Sequence, residues 1–157
     1  MSSPHPTSAA LGAVATTPAK PCRVIVVMPA YNAEKTLEAT LAGIPPGSCD
    51  EVIVGDDCSQ DGTIALAQRL GLPVLKTPQN LGYGGNQKML YREALARGAD
   101  IVVMVHPDYQ YEPSLVPHFV GFLKHGVCDV ILGNRIRSRR EALKGGMPAW
   151  KYLFNRC

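Results

Sequence analysis

Two short apolar runs in this chain each lead directly into carboxylates. Residues 52–55 precede Asp56 and Asp57, and residues 101–105 precede the sequence HPDYQ at 106–110. Such continuous runs are typical of parallel strands that are buried on both faces. A charge at the mouth of such a strand is costly unless water or a ligand stabilises it. Because ligands of open α/β sheets bind at the carboxyl ends of the strands, the two runs predict a polar, cation-assisted ligand site.

The rest of the sequence alternates between strand and helix patterns. The helix after the first strand is expected to begin at Asn32 as its N-cap and to bury Leu37, Leu41 and Ile44 on one face. Asp61 is expected to cap the second helix. The alternation favours an α/β fold with a Rossmann-like, mostly parallel sheet flanked by helices. Five strands are predicted, at residues 23–28, 51–55, 73–76, 101–105 and 129–132.

Composition is that of a globular protein, with 46% apolar and 18% charged residues among 157. Residues 1–21 are rich in proline and small polar residues and predict a disordered leader, which leaves residues 22–157 as one domain. No apolar run reaches the roughly 18 residues that a membrane helix needs. The five cysteines are odd in number and lack a C-x-x-C spacing, which predicts reduced thiols and a cytoplasmic location.

The net charge of +3 conceals an asymmetry between the two ends of the chain. From Gly133 onward there are seven basic residues and a single acidic one. Such a segment could contact an anionic partner, such as the cytoplasmic face of a membrane, or could equally be a solvated surface. The tyrosines at 109 and 111 lie outside the basic stretch, which argues against a nucleic-acid binder.

The paired aspartates are the first candidate ligand-binding residues. Asp56 or Asp57 could accept hydrogen bonds from a ribose hydroxyl or a base N–H, or could only stabilise the turn. We favour a binding role for Asp57, because Asp61 is already in place to cap the following helix.

The second candidate group follows the other apolar run. Asp108 and Gln110 would point to one side of an extended chain and offer the oxygen donors that suit Mg²⁺ or Mn²⁺. A cation held there could bridge a diphosphate, although a surface turn is the alternative. His106 could be a ligand, a proton shuttle or a turn residue.

A glycine-rich segment at 82–85 and a late arginine complete the candidates. Gln87 stands where the third glycine of a dinucleotide fingerprint would be, which argues against an NAD-binding protein. The segment is expected to be a tight loop that enters a helix, and Lys88 could contact a phosphate. Arg135 follows the fifth predicted strand and could bind a phosphate with both arms of its guanidinium.

Taken in order, five segments resemble family 2 glycosyltransferases, most closely the dolichyl- or polyprenyl-phosphate sugar synthase branch. They are PAYNAE at 29–34, DDCSQDGT at 56–63, NLG at 80–82, PDYQ at 107–110 and GNR at 133–135. The resemblance implies a GT-A fold and a metal-dependent, inverting transfer from a nucleotide sugar.

The resemblance also implies roles for the residues on the nucleotide side of the site. Pro29, Tyr31 and Glu34 would flank the base, and Asp57, or alternatively Asp56, would hold the base or the ribose.

On the metal side, Asp108 matches the second acid of the family's D-x-D motif and Gln110 a further metal contact. Arg135 would meet the diphosphate or a lipid phosphate. His106 replaces the first acid of the motif, which implies weaker metal binding or a preference for softer metals.

The sequence stops at residue 157, where the family continues into an acceptor half. We therefore expect a donor-binding portion. After residue 129 the only carboxylate is Glu141. An acceptor that is already ionised, such as a polyprenyl or dolichyl phosphate, would need no catalytic base and is favoured over a cell-envelope glycan. The alternative is a non-catalytic nucleotide-sugar-binding fragment.

Overall fold

The computed structural model of the chain describes residues 21–108 and 110–133. Strands and helices alternate as predicted through the first four strands. The elements in order are β1 (Val24–Ala30), α1 (Leu37–Ala42), β2 (Glu51–Asp56), α2 (Thr63–Arg69), β3 (Val74–Lys76), α3 (Gly82–Ala96), β4 (Ile101–Met104), a 3₁₀ turn (Pro113–Leu115) and α4 (Val116–Lys124).

All four strands are parallel and form one sheet in the order β3-β2-β1-β4. β1 lies between β2 and β4, and all seven of its residues are buried. In the register of the sheet, Ala30 pairs with Asp56 and Val27 pairs with Met104. The predicted Rossmann-like α/β fold is therefore confirmed, and the carboxyl ends of β1, β2 and β4 meet at one edge.

Two apolar clusters cover the two faces of the sheet. Alternate residues of β1 enter different clusters, since successive side chains of a strand point to opposite faces. On one face the sheet packs against α1, α2 and α4, through Leu37, Leu66 and Val120. On the other face, within the described residues, it packs against α3 through Leu90 and Ala94. No helix of the described residues is both long and apolar enough to cross a bilayer.

Two local predictions were wrong. The predicted fifth strand at 129–132 is not formed, and Val130 and Leu132 are 73% and 90% exposed. An apolar run becomes a strand only where a neighbour accepts its hydrogen bonds, and a cavity of about 460 Å³ separates this segment from β4. The first helix begins at Leu37, after Thr36, and not at Asn32. Asn32 instead adopts φ 51° and accepts a hydrogen bond from the Gln60 amide.

The predicted free thiols are found for the four cysteines of the described residues, Cys22, Cys49, Cys58 and Cys128. Desolvation by burial, with the adjacent charge of Asp50, raises the pKa of the Cys49 thiol. This shift disfavours the thiolate, which is the nucleophilic form, and so makes Cys49 a weaker nucleophile.

Gly55 allows α3 to approach β2 closely. A Cβ at this position would lie 2.8 Å from Leu90 Cδ1 and would overlap Asn86 Oδ1. We expect Gly55→Ala to lower the free energy of unfolding by about 1–3 kcal/mol, since overpacking forces the helix away from the sheet. Urea unfolding measures this.

The matched control is Gly121→Ala in α4, where an added Cβ would meet no atom within 4 Å. Alanine at an open helix position should raise stability by about 0.5–1 kcal/mol. Equal and small effects of the two variants would contradict the close packing of α3 on β2.

Candidate functional site

A cavity of about 360 Å³ lies at the carboxyl edge of the sheet, beyond β1, β2 and β4. This edge is where the two acidic strand ends were predicted to meet. The lining brings together five of the predicted site residues, namely Pro29, Tyr31, Asp57, His106 and Asp108. The four other predicted residues that the structure describes, Glu34, Asp56, Lys88 and Gln110, are not in the lining. Arg135 and the basic segment around it lie outside the described residues.

Asp57 combines deep burial with one unused carboxylate oxygen. The residue is only 4% exposed. Oδ1 accepts hydrogen bonds from Thr77 Oγ1 at 2.9 Å and from the Leu81 amide at 2.7 Å. Oδ2 has no hydrogen-bond partner among the described residues, and the residue lines the cavity. Asp57 therefore ties two loops together with one oxygen and offers the other as an acceptor.

Asp56 has a different environment from its neighbour. It is fully buried, and its Oδ2 accepts a hydrogen bond from the Ser59 amide at 3.1 Å. Its Oδ1 is buried without a partner among the described residues. Neighbouring side chains in extended backbone point to opposite sides, so only one of the two aspartates can face the cavity. The structure gives Asp56 a role in the turn.

Glu34 links two loops beside the cavity and does not line it. Its carboxylate accepts a hydrogen bond from the Gly62 amide at 3.0 Å, and its own amide donates to Asp61 Oδ2 at 3.1 Å. Asp61 Oδ1 accepts a hydrogen bond from the amide of Thr63, the first residue of α2, but the N-cap of this helix is Gly62 and not Asp61 as predicted. Desolvation alone would raise the pKa of Asp61, but the hydrogen bonds from Thr63 and from the Glu34 amide together outweigh it and lower the pKa.

Further hydrogen bonds join the same two loops. The Asn32 amide donates to Ser59 Oγ at 2.9 Å, and the Ala33 amide donates to Thr63 Oγ1 at 2.8 Å. Within the described residues, the non-glycine residues with positive φ are Asn32 and Cys58, one in each loop. Left-handed backbone at such residues is uncommon and persists where surrounding contacts hold it. The loop that carries Tyr31 is thus fixed in place before any ligand binds.

Tyr83 and His106 form a pair on the lining of the cavity. The Tyr83 hydroxyl lies 2.7 Å from His106 Nε2. The two rings stack, with centroids 5.0 Å apart and planes inclined by 20°. Sequence reasoning did not single out Tyr83, because its segment was expected to be a loop, whereas α3 already begins at Gly82.

Asp108 is exposed, lies on the lining and starts a tight turn. Its Oδ1 accepts a hydrogen bond from the Gln110 amide at 3.0 Å. The turn breaks the extended geometry that was expected to align the two side chains, which explains why Gln110 is not in the lining. Oδ2 of Asp108 has no hydrogen-bond partner among the described residues.

The side chains that line the cavity decide what kind of Mg²⁺ or Mn²⁺ site the chain could form. Within the described residues, no group of three or more His, Cys, Asp and Glu side chains could hold a metal ion alone. Mg²⁺ is commonly bound by one or two carboxylates together with substrate phosphates. The exposed oxygen of Asp108 fits this second kind of site, in which the ligand supplies the remaining donors.

Asn86 is a cavity residue that the sequence analysis missed. It is only 3% exposed, and its Nδ2 donates a hydrogen bond to the Gly55 carbonyl at 2.8 Å. Its Oδ1 is buried without a partner among the described residues. Lys88, which was predicted to contact phosphate, lies two residues further along α3 and is exposed. Two residues turn a helix by about 200°, so the two side chains occupy opposite sides.

The sequence from residue 25 to residue 155 matches the family model described as glycosyl transferase family 2. The chain belongs to this family. The predicted membership is therefore confirmed, and the match covers more than four fifths of the chain.

Two curated relatives of this family 2 chain act on lipid phosphates according to their names. The UDP-N-acetylglucosamine–dolichyl-phosphate N-acetylglucosaminyltransferase of Methanococcus voltae is 25% identical, over 84% of this chain and 59% of the relative. The undecaprenyl-phosphate mannosyltransferase of Micrococcus luteus is 29% identical, over 72% of this chain and 48% of the relative. The chain thus spans about half the length of these relatives.

A solved structure of glucosyl-3-phosphoglycerate synthase from Mycobacterium tuberculosis, in complex with Mn²⁺ and UDP-glucose, is also similar. It is 34% identical with a TM-score of 0.55, over 68% of this chain and 40% of that one. The same synthase has been solved with Mg²⁺ and UDP, and this structure matches at 33% identity. The parallel sheet and its flanking helices thus have the fold of a GT-A glycosyltransferase.

Proposed function

We propose that this family 2 domain binds a nucleotide-sugar donor and that the protein transfers the sugar with inversion in a metal-dependent reaction. The observation that carries the proposal is the cavity at the carboxyl edge of the sheet. It combines Asp57, a buried carboxylate with one unused oxygen after β2, and Asp108, an exposed carboxylate after β4. The similarity to a synthase solved with Mn²⁺ and UDP-glucose supports the same chemistry here.

Each cavity residue would act through a group that the structure leaves available. Asp57 Oδ2 would accept a hydrogen bond from a base N–H or a ribose hydroxyl. Tyr31 is 55% exposed on the lining and would offer an aromatic face to the base. Asp108 would hold Mg²⁺ or Mn²⁺ together with the diphosphate. The bound cation would supply positive charge that offsets the charge on the leaving nucleoside diphosphate.

We propose a phosphate-bearing acceptor, with a polyprenyl or dolichyl phosphate as the first choice. An ionised phosphate attacks without first losing a proton, so it requires no general base from the protein. The similarity to transferases named for dolichyl phosphate and undecaprenyl phosphate supports this choice. The similarity to a phosphoglycerate enzyme makes 3-phosphoglycerate the second acceptor to test.

The donor part of the proposal predicts that UDP or a UDP-sugar stabilises the protein. At a ligand concentration 100 times the Kd, binding adds about 2.7 kcal/mol to the free energy of unfolding and raises Tm by several degrees. A thermal-shift series should include UDP, UDP-glucose, UDP-N-acetylglucosamine and GDP-mannose, each with Mn²⁺ and with EDTA. NADH is the matched negative control, because the chain lacks a dinucleotide fingerprint.

The absence of a shift with every nucleotide would contradict donor binding. Donor binding without transfer to undecaprenyl phosphate, dolichyl phosphate or 3-phosphoglycerate would favour the alternative, a binding module without catalytic activity.

A further inference from the structure

The contact between Tyr83 and His106 bears on which cation the site accepts. The Tyr83 hydroxyl and His106 Nε2 are 2.7 Å apart, a full hydrogen bond. Ring stacking at 5.0 Å supports the same arrangement. Both residues and Asp108 line the one cavity, so this hydrogen bond lies beside the carboxylate that would meet a cation.

The hydrogen bond occupies Nε2 whichever tautomer the imidazole adopts. If Nε2 carries no proton, its lone pair accepts the proton of the Tyr83 hydroxyl. If Nε2 is protonated, it donates to the Tyr83 oxygen and has no lone pair to give to a metal. In both cases this nitrogen is unavailable as a metal ligand while the contact lasts.

We propose that Tyr83 is a specificity-determining residue for the cation of the nucleotide-sugar site. The proposal rests on the function proposed above. By occupying His106 Nε2, the Tyr83 hydroxyl keeps that nitrogen away from the metal and leaves an oxygen donor set from Asp108 and the diphosphate. Oxygen donors suit Mg²⁺ and Mn²⁺, whereas imidazole suits Co²⁺ and Zn²⁺ better than it suits Mg²⁺. A histidine in a D-x-D position would otherwise shift the preference of the site toward softer metals, and Tyr83 therefore offsets this shift.

The test is the Tyr83→Phe variant, which keeps the stacked ring and removes the hydroxyl. In the presence of saturating UDP, its affinity for Co²⁺ relative to Mg²⁺ should rise about tenfold or more over the unmodified chain. Equilibrium dialysis measures the two affinities. Entry of an imidazole nitrogen should also shift and strengthen the visible absorption of bound Co²⁺.

Two further variants test whether the gain in Co²⁺ affinity depends on His106 and on the Tyr83 hydroxyl. Adding His106→Ala to Tyr83→Phe should abolish the gain, because no imidazole remains to be released. Tyr91→Phe is the matched control, since Tyr91 lies on the same helix and its hydroxyl donates to Met104 Sδ. It should leave the Co²⁺ to Mg²⁺ ratio unchanged.

Two results would overturn this inference and leave the proposed function standing. One is an unchanged ratio in Tyr83→Phe. The other is a loss of Co²⁺ affinity in His106→Ala when Tyr83 is intact, which would mean that the imidazole already binds the metal through its other nitrogen. A failure of the unmodified chain to bind UDP, with or without a cation, would instead overturn the proposed function and this inference with it.

Discussion

The Asp57→Asn variant is expected to fold normally and to lose nucleotide binding. An asparagine can keep its carbonyl oxygen in the place of Oδ1, where Thr77 Oγ1 and the Leu81 amide donate hydrogen bonds. Its amide nitrogen then replaces the unused Oδ2. A ligand N–H or O–H that met an acceptor would now meet a donor. A hydrogen bond to a charged group contributes about 1.5–3 kcal/mol, so we expect UDP affinity to fall about 10- to 100-fold or more.

Calorimetry with UDP in EDTA measures this effect without a contribution from metal binding. The thermal unfolding of the ligand-free variant should remain close to that of the unmodified chain. Asp50→Asn is the matched control, because Asp50 also accepts a backbone hydrogen bond, from Val24, but at the opposite end of β1. Unchanged UDP affinity in Asp57→Asn would exclude this carboxylate from the nucleotide site.

The alanine variant would be harder to interpret. Asp57→Ala leaves the Leu81 amide without its partner and removes the acceptor for Thr77. An unsatisfied buried donor costs about 1–3 kcal/mol, so the loop at 80–82 would be disturbed along with the binding group. The asparagine variant separates the structural role of one oxygen from the binding role of the other.

The sequence predicted the sheet well because its signals there are local and repeated. Continuous apolar runs identify parallel strands, and the carboxylates that follow them identify the edge where ligands bind. Asp57 and Asp108 could be placed at this edge from those two rules. The fifth strand could not be excluded in the same way, because strand formation depends on a hydrogen-bonding neighbour that the run itself does not specify.

The remaining site residues depend on side-chain geometry that spacing does not determine. Glu34 was placed beside the base, but its carboxylate is directed to the Gly62 amide in the neighbouring loop. Asn86 faces the cavity because α3 begins at Gly82, four residues earlier than the residue itself. A glycine-rich segment is a weak helix signal, so neither Asn86 nor Tyr83 could be assigned from propensity.

Replacing Asp108 should remove the metal-dependent part of nucleotide binding and leave the metal-free part intact. The Asp108→Asn variant keeps an oxygen for the Gln110 amide, so the turn should be preserved. It removes the one carboxylate that faces the cavity beside His106, and a neutral amide is a far weaker ligand for Mn²⁺. We expect Mn²⁺ affinity in the presence of UDP to fall about 100-fold.

The decisive comparison for Asp108 is UDP affinity with Mn²⁺ against UDP affinity with EDTA. In the unmodified chain Mn²⁺ should strengthen binding about tenfold or more, and in Asp108→Asn the two values should agree. The electron paramagnetic resonance signal of free Mn²⁺ gives an independent measure, since adding the variant to a mixture of Mn²⁺ and UDP should not lower it further.

Glu112→Gln is the matched control, because Glu112 is also exposed and also accepts a nearby backbone hydrogen bond, from Ser114. Because Asp57→Asn should weaken UDP binding in EDTA as well, the two variants together separate nucleotide recognition from metal binding. A full Mn²⁺ effect in Asp108→Asn would place the cation elsewhere and leave the role of Asp57 standing.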